Sequence, residues 1–224
     1  MQPTAYARRL LTVGAITATV FTGPAGPSPA AAPPSAPSPT APSPTAPVAG
    51  ASYGAYTRLL PLADLSARRL ATADLVAAAK WGTGSPVDDP VREKQVLDTV
   101  ARQAREAGAD PGATVRISRD QIEANKRVQR ALHSRWDADP SDAPVGRPDL
   151  AEVREEINRV NVDLVRAIAA SPAARAAHSC GGTLTAAEAH VRHDRHLDRL
   201  HATALSHALR SVCVRRTETP IELR

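Results

Sequence analysis

Arg69 and Lys80 stand eleven residues apart in an alanine-rich stretch without glycine or proline. On a helix that spacing is three turns plus about 20° of rotation, so both side chains project along one face. Only three of the 28 basic residues are lysine (Lys80, Lys94 and Lys126), so a lysine against an apolar face needs a reason. Buried cations without partners are costly, and two on one inward stripe imply an anionic ligand or acidic neighbours. Periodicity alone favours the plainer reading, in which both lie on a solvated face.

Compatible groups follow along the chain. Asp89, Arg92 and Glu93 have the three- and four-residue spacings that cluster side chains on one side of a helix. Asn125 and Gln129 form an i, i+4 amide pair, and Arg154 opens an amphipathic segment. Each has a plain reading: a cap, surface charge, solvent-facing amides. Together they are cations, amides and carboxylates from four helices, with no nucleophile among them. The histidines at 190, 193, 196 and 201 include i, i+3 pairs, but no His–carboxylate set has HExxH spacing. Metal binding is therefore not expected.

The elements that must position these residues are legible from their ends. A first helix is expected over Leu62–Trp81, stopped by Gly82-Thr83-Gly84-Ser85-Pro86. Asp89-Pro90 starts a second, which Gly108 ends. Ser118 with Gln121 has capping-box spacing and predicts a third, to about Trp136. Asp149 with Glu152 opens a fourth, to about Ala170, and Thr185 with Glu188 a fifth, to about Cys213. Alanine and leucine dominate the apolar residues, aromatics are 3%, and no segment alternates as a strand does. The expected fold is an all-α bundle of about five main helices.

Eleven of the 20 prolines fall in residues 1–47. Arg8-Arg9, an uncharged stretch from Leu10 to Thr22 and small residues at 25–32 have the order of an export signal. The apolar stretch is short of the roughly 20 residues that span a bilayer. The expected organisation is a signal over 1–32, cleaved at about 25–32, and a Pro/Ala/Ser-rich linker over 33–54. A helical domain over 55–215 and a tail over 216–224 complete it. The mature protein is expected outside the cytoplasm, secreted or in the cell envelope or periplasm, with no stable membrane insertion. An oxidising compartment favours joining Cys180 to Cys213, the only cysteines. That bridge would staple the fifth helix across its own length. The net charge of +5 is interspersed with acids, and no nucleic-acid partner is expected.

Arg69, the alanine-rich run into Lys80-Trp81, Asp88-Asp89-Pro90-Val91-Arg92-Glu93, the 120–129 segment with Asn125 and Gln129, and Leu150-x-x-x-Arg154-x-x-Ile157 follow one order. That order resembles the all-helical AroQ chorismate mutases over about residues 60–214, and most of all their exported subclass, which also carries the late cysteine pair. The resemblance implies conversion of chorismate to prephenate, an intramolecular Claisen rearrangement without cofactor. It assigns Arg69, Arg92 and Arg154 to the substrate carboxylates and Lys80 and Gln129 to the ether oxygen. Asp89 and Glu93 match positions around the substrate hydroxyl. Asn125 stands where relatives often carry Ser or Thr near a carboxylate. Glutamine at 129 donates at any pH, where a glutamate must first be protonated, so activity is expected to persist through neutral and mildly alkaline pH. A monofunctional enzyme without an appended regulatory domain is expected, and a homodimer is compatible with the resemblance. Two other readings fit the cations: a related pyruvate lyase acting on isochorismate, and a non-enzymatic exported protein that binds an anionic partner.

Overall fold

The computed structural model describes residues 48–214, with side chains from Tyr53 onward. The expected export signal, most of the linker and the C-terminal tail lie outside the described residues. Those described form seven α-helices and one 3-10 turn, with no strand. The helices are α1 (Val48–Lys80), α2 (Pro90–Glu106), α3 (Pro111–Ala138), α4 (Leu150–Ala169), α5 (Pro172–Ala176), α6 (Cys180–Asp194) and α7 (Arg199–Ala208). No described helix is long and apolar enough to cross a membrane.

The long helix α1 is the axis, and α3, α4 and α6 pack along it. Its buried residues include Leu59, Leu62, Ala63, Ala67, Leu70, Ala73 and Ala77. The alanines let neighbouring helices approach closely, and the leucines fill the space with Ile117, Val128, Leu164, Ile168 and Leu205. Such enclosure explains why periodicity could not tell an inward from an outward stripe: apolar residues surround this helix on most sides.

Helix α1 starts at Val48, before the expected Leu62, and carries Pro61 inside it. Proline removes one backbone donor, but packing on both sides of it holds the helix together. Leu59 is fully buried, and the Tyr56 ring meets His190 of α6 edge-on at 6.5 Å. Helix α3 also starts earlier than expected. Asp110 caps it, its carboxylate accepting from the Gly112 and Ala113 amides. Ser118 and Gln121 are therefore not a capping box but buried mid-helix residues. Gln121 donates to Ser66 Oγ at 2.8 Å and to the Ala208 carbonyl at 3.1 Å, tying α3 to α1 and α7.

The expected fifth helix is two helices, α6 and α7. His196 takes φ 50°, and Leu197 and His196 donate back to the Arg192 and His193 carbonyls, ending α6 in a Schellman motif. Asp198 then caps α7. Cys180 opens α6 and Cys213 follows α7, so the disulfide closes a folded-back pair rather than stapling one helix. A continuous helix over 185–213 would set its ends roughly 40 Å apart, beyond any disulfide. The observed Cα–Cα distance is 5.9 Å.

Candidate functional site

One cavity between α1, α2, α3 and α4 is lined by all eight residues singled out for chemistry: Arg69, Lys80, Asp89, Arg92, Glu93, Asn125, Gln129 and Arg154. Its volume is about 650 Å³, counting the solvent at its mouth. Val76, Val87, Val96, Ile122, Leu150 and Ile157 supply apolar wall, and Lys126 adds a further cation. Five cations therefore face two carboxylates.

Each side chain is placed by local structure. Arg69 and Lys80 are buried on α1, which decides between the two readings of their stripe. Arg69 donates from Nε to Asn161 Oδ1 at 2.8 Å and from Nη1 to the Gln121 carbonyl at 2.9 Å. Burial pulls its pKa down to about 10. Lys80 ends α1, where the chain turns through Gly82 and Gly84 at positive φ and comes back. The returning loop presents the Pro86 and Val87 carbonyls to Lys80 Nζ at 2.8 and 3.3 Å. An ammonium has three donors, so one remains for the cavity. Burial lowers the Lys80 pKa and Arg154 adds to this, while Asp89 opposes it.

Asp89 caps α2 by accepting from the Arg92 amide at 3.0 Å, so it serves as cap and cavity wall at once. Arg92 and Glu93 follow in the first turn, with Arg92 Nη2 3.5 Å from Asn158 Oδ1. Glu93 accepts from Lys126 at 3.1 Å. Lys126 also meets Asp88 at 3.1 Å and Glu123 at 2.6 Å. Although burial opposes it, hydrogen bonds to Glu123, Glu93 and Asp88 raise the Lys126 pKa. With the Arg130–Asp88 pair, Lys126 fastens the 82–89 loop to α3. Sequence reasoning passed over Lys126, though lysine scarcity pointed to it as much as to Lys80.

Asn125 and Gln129 form a directed chain. Thr72 Oγ1 gives its only proton to the Arg69 carbonyl, so it can only accept from Asn125 Nδ2, at 3.4 Å. Asn125 Oδ1 must then face Gln129, whose Nε2 donates to it at 2.6 Å. One Gln129 N–H is left over, and its Oε1 is buried without a partner. Asn125, expected near a ligand carboxylate, lines the cavity, with its amide nitrogen 3.4 Å from both the Arg69 carbonyl and Thr72 Oγ1.

The charges differ in how they are held. Lys126 is matched by three carboxylates. Among the described residues, none lies within ion-pair distance of Arg69, Lys80, Arg92 or Arg154. Four cations drawn from three helices and left in this way have the chemistry to hold a small anion carrying more than one negative charge.

Residues 61–130 match the family model described as chorismate mutase type II. The chain is 37% identical over 155 residues to a secreted chorismate mutase of Mycolicibacterium smegmatis, covering 69% of this chain and 86% of that one. It is 34% identical over 157 residues to a secreted chorismate mutase of Mycobacterium tuberculosis, covering 70% and 79%. A crystal structure of a chorismate mutase from Burkholderia phymatum superposes with a TM-score of 0.69 at 35% identity, covering 72% of this chain and 99% of that one.

Proposed function

The chain belongs to the type II chorismate mutases, and on that footing we propose that its cavity rearranges chorismate to prephenate. The four cations without carboxylate partners carry this reading, because the substrate is a dianion and the reaction needs no nucleophile. Arg69, Arg92 and Arg154 hold the two carboxylates, each charge-assisted hydrogen bond contributing about 1.5–3 kcal/mol. They fix the folded conformer in which the two reacting carbons meet, removing much of the entropic barrier. As the C–O bond lengthens, negative charge grows on the ether oxygen. The free N–H of Lys80 and the second N–H of Gln129 meet it there, and both are in place before the charge develops. Asp89 and Glu93 accept from the substrate hydroxyl, and Asn125 aims Gln129. The apolar walls keep water from competing for these donors.

Two relatives bear the name secreted, and the order of charge, apolar stretch and small residues at the start of this chain fits export. The proposed enzyme therefore acts outside the cytoplasm. Mass analysis of protein recovered from a secreting host would find a new N-terminus just after residues 25–32.

Purified protein incubated with chorismate tests the activity. Loss of chorismate absorbance with prephenate as product is the expected result. Salicylate and pyruvate would identify the lyase instead. No product, with Lys80→Ala leaving anion binding unchanged, would leave a binding protein.

A further inference from the structure

Arg69 is the most deeply buried cavity arginine, and both oxygens that hold it are neutral: the Asn161 side chain and the Gln121 carbonyl. An aspartate at 161 would fill the same space and bind a guanidinium more strongly. It would also cancel the charge offered to a ligand. Two of five guanidinium N–H groups are engaged, so three remain, and their direction is set by the Nε contact.

Asn161 is itself buried, on α4. Positions 154, 158 and 161 are i, i+4 and i+7, one face of that helix. The face presents Arg154, then Asn158, whose Oδ1 stands 3.5 Å from Arg92, then Asn161 at 2.8 Å from Arg69. One helix face thus supplies one arginine and meets the other two with amides. Lys80 of the same cavity is held alike, by two backbone carbonyls.

We propose that Asn161 is a positioning residue for the rearrangement: it orients the Arg69 guanidinium toward a substrate carboxylate and, being neutral, leaves the arginine's charge to that carboxylate. The role rests on the chorismate mutase reading above.

Asn161→Asp separates orientation from charge, because it keeps the size and the acceptor and adds only a negative charge. Its thermal midpoint is expected at or above that of the unaltered protein. Its KM for chorismate is expected to rise at least about tenfold, with kcat changed far less, as loss of uniform binding requires. Asn161→Ala, assayed below its own midpoint, is expected to raise KM as well, and it decides the matter if the aspartate variant does not fold. A residue that only supports the fold would leave KM unchanged in both variants, whatever the midpoints, and that result overturns the proposal. An unaltered protein that turns over no chorismate removes the functional reading itself, and the role of Asn161 with it.

Discussion

Four of the five cavity cations and the charges of the α6–α7 pair are treated in opposite ways. In the cavity, Arg69 and Lys80 end on neutral oxygens of the chain. In the hairpin, Arg195 ends on Asp64, Arg192 on Glu188, Arg210 on Asp120, and His201 on both Asp74 and Asp198. A cation given its own carboxylate has its field cancelled and serves the fold. A cation held by carbonyls and amides is oriented but not neutralised, and the protein accepts its desolvation cost in return for a site that attracts anions.

The largest expected effect tests the cavity side of that contrast. Lys80→Ala removes the donor proposed for the ether oxygen and is expected to lower kcat by roughly 10²–10³. The same change should leave the thermal midpoint level or raise it, since a buried cation without a carboxylate is lost. A variant that unfolds early yet keeps its kcat would make Lys80 a structural residue and erase the distinction.

The hairpin should respond the other way. Replacing Cys180 and Cys213 by serine opens a loop of sequence separation 33. It is expected to cost roughly 3–4 kcal/mol in the chain-entropy account. For a chain of this size that lowers the midpoint by roughly 6–15 °C. Below the new midpoint, kcat should stay near its original value, because neither cysteine lines the cavity. Thermal unfolding followed by kinetics at a permissive temperature checks both halves.

Much of the helical frame behind this contrast is legible in residue type and order alone. Asp89-Pro90, Gly108 and Asp149 mark helix ends in side chains whose backbone preferences are strong, and those ends stand where the sequence puts them. The break between α6 and α7 is hidden because its left-handed position is filled by His196, not glycine. At Gly108 the same motif, with the same pair of back-donated bonds, announces itself. Pro61 misleads in the opposite sense, reading as a boundary where packing carries the helix through. The eight residues that share the cavity are singled out in the sequence by type and spacing, and their roles only by resemblance. The neutral acceptor Asn161 is not, since it is 92 residues from Arg69 and nothing local in the chain marks a partner that distant.

A third change sharpens the electrostatic meaning of the site. The unaltered enzyme should hold its activity through neutral pH, because Gln129 donates in every protonation state. Its alkaline limb should begin below the ordinary lysine value of about 10.4, as the depressed Lys80 ammonium loses its proton. Gln129→Glu places a carboxyl that must be protonated to donate. Its kcat should therefore fall above about pH 6, roughly tenfold per pH unit. Superimposable pH–rate profiles would remove Gln129 from the ether oxygen.

The smallest effect belongs to the hairpin's own titrating contact. His201 lies between Asp74 of α1 and the α7 cap Asp198, with ring nitrogens 3.0 and 2.8 Å from their oxygens. The Asp74 hydrogen bond, helped by Asp198 against the opposing effect of burial, raises its pKa from 6.5 to about 9. A group whose pKa is higher folded than unfolded stabilises fully below the unfolded value and progressively less as pH rises through the folded one. The clasp should therefore be intact below about pH 6.5 and lost near pH 9. Both carboxylates are about half exposed, so screening holds the contribution to about 1 kcal/mol or less, some 2–4 °C in midpoint. His201→Gln should flatten the midpoint across that window relative to the unaltered protein. Its kcat/KM should not change, because the clasp lies outside the cavity between α1, α2, α3 and α4. A variant that kept the full pH dependence would show that the proton is taken up elsewhere.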